Sequence, residues 1–318
     1  MLEAFGVVCV GLILLTYGAD RFVDGAAATA TNFGVQPLLI GLIIVGFATS
    51  TPEMLVSGVA ALNGNPTMGI GNAIGSNIAN IGLVLGVTAI LAPLTVRSEI
   101  LKREFPVMFI GLLFASLLLL DCSLTRVDGV LLVGGFFVAF FCTAWLGLRA
   151  RTTDPLVQEF DHELTGRMST AAASFWIVAG LAILLLGSKL LVSGAVDIAR
   201  HFGVSDIVIG LTIVAVGTSL PELAASIFSA LKNQPEIALG NVIGSNMFNA
   251  LGVLATPALI HPTEFGAEVI RRDVPIMLCL TIALFAMSWS YKRRLGRISR
   301  MEGMLLLSAF IGYQYFLF

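Results

Sequence analysis

Charge is scarce in this chain. Only 12% of its 318 residues are Asp, Glu, Lys or Arg, about half the share found in soluble domains. That excludes an ordinary soluble fold, and a net charge of −2 gives no footing for a nucleic-acid partner. Histidine is rare, with three copies, and cysteine numbers four. His162, His201 and His261 fall in or near predicted loops. Cys9, Cys122, Cys142 and Cys279 stand far apart, with no paired spacing, and read as small apolar helix residues. Redox chemistry and zinc or copper binding therefore lack a ligand set. Long polar segments are missing too. The longest, 151–171, is too short for a folded regulatory domain.

What is present is hydrocarbon. The chain is 57% hydrophobic, with a mean hydropathy of +0.94. Several apolar runs reach the roughly 20 residues needed to cross a bilayer. The runs fall near 2–19, 36–62, 67–93, 104–121, 126–149, 172–199, 205–231, 236–260, 272–290 and 302–317. An all-α membrane protein of ten transmembrane helices is expected. The N-terminus is apolar almost from Met1 and lacks a basic leader region, so it reads as the first span, not a cleaved signal.

The stretch 34–86 is the centre of the sequence. Its apolar character is broken at Thr49-Ser50-Thr51-Pro52-Glu53 and again at Gly75-Ser76-Asn77-Ile78-Ala79-Asn80. The pattern returns 169 residues later, at 203–255, with roughly 24 of 53 positions identical. Glu53 maps onto Glu222, Pro52 onto Pro221, Ser76 onto Ser245 and Asn80 onto Asn249. The chain thus divides into a first five-helix repeat at 1–150, a connecting loop at 151–171 and a second repeat at 172–318. Five spans per repeat is odd, so the second repeat enters the membrane from the opposite face. Two inverted repeats with matched, broken, polar segments predict a transport site between them.

The chemistry of those segments points to a hard cation. A carboxylate in mid-membrane costs several kcal/mol unless paired, protonated or bound to a cation, and neither broken segment offers a nearby Lys or Arg. Glu53 and Glu222 together would balance one divalent ion or two to three monovalent ones. Thr49 and Ser50 precede Glu53 by four and three residues, and so share its helix face. Thr218 and Ser219 repeat this before Glu222. Ser76 with Asn80, and Ser245 with Asn249, stand four apart. Hydroxyl, amide and carboxylate oxygens suit Ca²⁺ and Na⁺. Pro52 and Pro221 each free the carbonyl four residues back, at Ala48 and Gly217. Serines back-bonded to their own helix and glycines used only for close packing are the plainer readings of single residues. Duplication of the whole set argues for a site.

Basic residues predict the orientation. With the N-terminus outside, Arg21, Arg97, Lys102, Arg103, Arg149, Arg151, Arg167, Lys232, Lys292, Arg293, Arg294, Arg297 and Arg300 collect in the cytoplasm. Arg126, Arg200, Arg271 and Arg272 stay outside. Thirteen against four puts both termini outside. Lys189, whose repeat mate is Asp20, lies within the sixth span and is expected to snorkel to the interface, with pairing to a carboxylate as the alternative.

The pairs Thr49-Ser50-Thr51-Pro52-Glu53 with Gly71-Asn72-Ala73-Ile74-Gly75-Ser76-Asn77, and Thr218-Ser219-Leu220-Pro221-Glu222 with Gly240-Asn241-Val242-Ile243-Gly244-Ser245-Asn246, resemble the two α-repeats of sodium/calcium exchangers, within the calcium/cation antiporter superfamily. The short prokaryotic members are the most similar. The resemblance implies ion sites between the second, third, seventh and eighth helices. It implies ligands at Glu53, Glu222, Thr49, Ser50, Thr218, Ser219, Ser76, Ser245, Asn80 and Asn249, with main-chain oxygens at Gly46 and Ala215. It also implies that the first and sixth helices slide across the other eight. Some members carry Asp where this chain has Asn249, which bears on sodium stoichiometry and potassium dependence.

The expected function is Na⁺/Ca²⁺ antiport by alternating access, with Ca²⁺ and Na⁺ as substrates, the lipid bilayer as surroundings and no cofactor. A single chain holds both half-sites, so a monomer suffices for transport. A Ca²⁺/H⁺ or other cation/H⁺ antiporter and a K⁺-dependent Na⁺/Ca²⁺ exchanger are the alternatives, since a buried glutamate can carry a proton. A passive channel fits paired inverted half-sites less well. A membrane enzyme is disfavoured because the polar cluster lacks a His, a Ser/Lys dyad or paired aspartates.

Overall fold

The computed structural model describes residues 2–96, 98–150, 168–203, 215–288 and 296–317. Most of the expected connecting loop at 151–171 lies outside the described residues. So do 204–214, early in the second repeated stretch, and Arg97, Lys292, Arg293 and Arg294 of the orientation argument.

Ten helical stretches run through the described residues. These are α1 (Leu2–Phe33), α2 (Pro37–Leu62), α3 (Pro66–Leu91), α4 (Ser98–Leu118) and α5 (Arg126–Ala150). The second set is α6 (Thr170–His201), α7 (Ala215–Thr218 and Leu220–Leu231), α8 (Pro235–Ile260), α9 (Val269–Asp273 and Val274–Ser288) and α10 (Arg300–Leu317). Six of them, α1, α2, α3, α5, α6 and α8, are long and apolar enough on their own to cross a bilayer. Four short strands join the helix ends. β1 (Leu94–Val96) pairs antiparallel with β4 (Gly296–Ile298), and β2 (Ser123–Leu124) with β3 (Thr263–Glu264). Each ribbon ties the two halves of the chain together.

The first helix departs from the expected span of 2–19. It continues to Phe33. Its second half, rich in Ala, favours helix, and its three charges do not end it because they have partners. Lys232 at the end of α7 reaches Asp20 Oδ1 at 2.7 Å and Asp24 Oδ1 at 2.6 Å. Arg21 lies over the rings of Tyr17 and Trp176, 5.4 and 5.2 Å from their centroids. The helix stops where Gly34 takes a φ of +56°, and α6 stops likewise at Gly203, with φ +76°. Only glycine adopts that conformation without strain. Lys189 is exposed on α6.

α1 and α6 lie side by side in opposite directions. A Cβ built on Gly11 would sit 2.5 Å from the Leu191 nitrogen, and one on Gly18 2.4 Å from the Leu184 nitrogen. One on Gly25 would meet the Ala173 oxygen at 2.8 Å. Gly180, Gly187 and Gly194 face back onto Phe22, Leu15 and Val8 in the same manner. Equivalent helices of the two halves therefore run antiparallel, as inversion requires. Glycine every seventh residue keeps one face free of side chains, so the two backbones touch.

Both of these helices are mostly outward-facing, whereas α8 is almost wholly enclosed and α2 and α3 are largely so. The main apolar core gathers on α3, α4, α8 and α9, with Ile78, Leu85, Met108, Leu112 and Leu251 among its buried members. It holds α3 and α8 fixed around the polar centre.

Candidate cation site

Local sequence breaks α2 and α7 at the same point. Ser50 has φ −85° and ψ 2°, and Ser219 has φ −89° and ψ 4°. Both lie in the sparsely populated bridge region, common at active sites. Pro52 and Pro221 enforce the break, since neither can donate a main-chain hydrogen bond. Each proline sits in the first turn of the half-helix that follows, where its missing N–H costs nothing. Glu53 and Glu222 come next, also in that first turn. Each half-helix thus directs the positive end of its dipole toward its own carboxylate.

α3 and α8 are interrupted as well. Their α-helical runs give way to π turns at Asn80–Leu85 and Asn249–Val253. The wide turn begins in both cases at the asparagine singled out in sequence. Single π turns are frequent at functional sites because they re-aim side chains and loosen the main-chain ladder.

These breaks converge. The Ser50 hydroxyl of α2 donates to Glu222 Oε1 of α7 at 3.1 Å. Thr49, Ser50, Glu53, Ser219 and Glu222 are all buried, as are Asn80, Asn249, Ser76 and Ser245, while Thr218 is half-buried. No ion pair among the described residues involves either carboxylate. Glu53 Oε2, Glu222 Oε2, Asn80 Oδ1, Ser219 Oγ and both polar atoms of the Asn249 amide are buried with no hydrogen-bond partner among the described residues. Native proteins seldom leave buried polar atoms unpaired. A concentration of orphaned oxygens around two carboxylates has the chemistry of a hard-cation site.

The main-chain oxygens behave differently from the carboxylates. The Gly46 carbonyl accepts from Ser245 Oγ at 3.3 Å and from the Ser50 N–H at 3.2 Å. The Gly217 carbonyl, freed by Pro221, accepts from Ser188 Oγ of α6 at 3.1 Å. Ala215 opens the first half of α7. Two of the carbonyls considered from sequence thus already carry serine hydroxyls.

Several polar residues of the centre escaped the sequence argument. The Asn72 amide donates to the Glu53 carbonyl and to Ser57 Oγ, both at 3.0 Å. Its repeat mate Asn241 donates to the Glu222 carbonyl at 3.1 Å and to Ser226 Oγ at 2.8 Å. Asn80 donates to Asn246 Oδ1 at 3.1 Å, and Asn77 to Met277 Sδ at 3.5 Å. All except Ser188 and Met277 recur at the 169-residue offset as Ser or Asn, so the duplication alone could have flagged them. Ser188 has Ala19 as its mate, and no repeat logic would find it.

The chain matches the model of the family described as sodium/calcium exchanger protein over residues 3–145 and 172–318. It is 50% identical to the putative antiporter CaxA of Alkalimonas amylolytica, over 100% of this chain and 99% of that protein. It is 38% identical to the inner membrane protein YrbG of Escherichia coli (strain K12), over 98% of this chain and 95% of that protein. A solved structure of the sodium-calcium exchanger NCX_Mj, soaked with zero Na⁺ and Ca²⁺, superposes with a TM-score of 0.85 at 33% identity, covering 100% of this chain and 99% of that one. The family and fold are those of a membrane transporter and not of an enzyme. The broken helices, the paired carboxylates and these likenesses lead to one conclusion: the chain belongs to the sodium/calcium exchanger family, as a ten-helix cation antiporter built from two inverted repeats.

Proposed function

We propose that this protein exchanges Na⁺ for Ca²⁺ by alternating access, loading either ion at one site between Glu53 and Glu222. The reading is carried by the bond from Ser50 to Glu222, which joins a hydroxyl of one repeat to the carboxylate of the other. On this reading both acidic groups serve one buried site, whose charge of −2 suits one Ca²⁺ or two to three Na⁺. An empty site leaves buried charge uncompensated, and mixed loading overfills it. Exclusive occupancy couples the two ions. Thr49, Ser50, Thr218, Ser219, Ser76, Ser245, Asn80 and Asn249 supply neutral oxygens. Gly46 and Ala215 supply main-chain oxygens once the serine on Gly46 is displaced. The first and second repeats occupy 1–150 and 172–318, and both termini lie outside the cytoplasm.

The test is ⁴⁵Ca²⁺ uptake into proteoliposomes with Na⁺, K⁺ and H⁺ gradients imposed one at a time. Uptake should follow the outward Na⁺ gradient and be lost in Glu53→Gln and Glu222→Gln. Uptake that follows only the H⁺ gradient would assign proton coupling instead. Orientation is read by labelling single cysteines placed at Leu2 and Phe316 with a membrane-impermeant maleimide in whole cells.

A further inference from the structure

We propose that Asn241 is a positioning residue that locks the two half-sites into one. The inference rests on the cation-exchange reading and deepens it. Asn241 lies on α8, fully buried, and bonds to two other helices. Its amide N–H groups go to the Glu222 carbonyl at 3.1 Å and Ser226 Oγ at 2.8 Å, both on α7. A carbonyl only accepts, so the NH₂ end must face α7. That leaves Oδ1 toward α2, where the Thr49 hydroxyl donates to it at 3.2 Å. The same proton is within reach of the Val45 carbonyl at 3.0 Å and, more distantly, of the Gly46 carbonyl at 3.5 Å.

The consequence is chemical. An alcohol that gives its proton away presents lone pairs on its remaining side. Asn241 and the Val45 carbonyl draw the Thr49 proton off, and so fix the Thr49 oxygen as an acceptor for a cation. The opposite end of the same amide fixes the main chain of Glu222. One rigid planar group thereby sets a neutral ligand of the first repeat and the acidic ligand of the second. α8 can carry this link because Gly41 and Gly46 let α2 touch it. A Cβ at Gly41 would meet the Ile237 main-chain oxygen at 2.5 Å, and one at Gly46 the Ser245 nitrogen at 2.8 Å and the Asn241 main-chain oxygen at 3.0 Å. Asn72 holds Glu53 by the same two bonds in the other repeat.

The experiment is calorimetric titration of purified protein with Ca²⁺, together with the Na⁺ dependence of ⁴⁵Ca²⁺ exchange. Asn241→Ala should weaken Ca²⁺ binding about tenfold or more and flatten the Na⁺ activation curve. Thr49→Val in the Asn241→Ala background should add less than it does alone, since the two changes remove one shared bond. Should Asn241→Ala fail to yield folded protein, Thr49→Val and Ser226→Ala carry the test, because both bond to Asn241. Non-additive losses in that pair support the lock, and strictly additive ones overturn it. Wild-type affinity and steepness in folded Asn241→Ala also overturn it. Absence of Ca²⁺ binding by the wild type would instead remove the cation-exchange reading itself.

Discussion

Replacing Glu222 by Gln changes charge with little change of shape. The Gln carbonyl can still accept from Ser50, now 3.1 Å from Glu222 Oε1. The hydrogen-bond loss is then at most about 1 kcal/mol. The electrostatic loss is far larger. Opposite unit charges about 4 Å apart attract by about 4 kcal/mol at an effective dielectric of about 20. Na⁺ therefore forfeits about 4 kcal/mol and Ca²⁺ about twice that on the same scale. Reorganisation and the Gln dipole shrink both figures, yet divalent binding suffers more throughout. Compared ion for ion, one Ca²⁺ against one Na⁺, the difference is about a thousandfold in Ca²⁺ over Na⁺ preference. Competition of Na⁺ against ⁴⁵Ca²⁺ in proteoliposomes measures it. Folded Glu222→Gln protein with an unchanged ratio of Ca²⁺ to Na⁺ affinity would refute the argument that paired charge sets selectivity.

Gly187→Ala puts a methyl where 2.3 Å separates its position from the Leu15 nitrogen. The α1–α6 pair must open, at a cost of about 1–3 kcal/mol, and the melting temperature in detergent should fall. Gly6→Ala, which meets nothing within 4 Å, should leave it unchanged. Lys232→Ala frees Asp20 and Asp24 from α7. All three side chains are a quarter or more exposed, so the loss should be about 1 kcal/mol or less and fade at high salt in a thermal melt. Pro52→Ala restores an N–H that can rebuild the helix across Ser50. Transport should drop severalfold or more while stability holds or rises, seen by comparing flux with the melting curve.

The sequence was most legible where it repeats. The 169-residue offset located Glu53 and Glu222, the proline breaks and the asparagines at which α3 and α8 widen into π turns. It worked because each residue type has a local cause: proline removes a donor, and a buried carboxylate requires compensation. The offset also held the regular glycines of α1 and α6, but their meaning was hidden. A glycine stripe reads equally as flexibility or as packing until a second backbone is seen against it. The length of α1 is hidden from the sequence for a similar reason. Asp20 and Asp24 resemble a helix end in sequence, because their partner Lys232 lies more than 200 residues away.

What the chain determines by itself is therefore local chemistry and its duplication: hydrocarbon length, helix breaks, and oxygen-bearing side chains spaced along one face. Those follow from bonding within a turn or two. Which repeat supplies the partner of Ser50, how Asn241 reaches both α2 and α7, and why the Gly46 carbonyl is already engaged all depend on helices distant in sequence being pressed together. Only the packed bundle decides them, because a hydrogen bond across helices exists only where two backbones are held at the right separation.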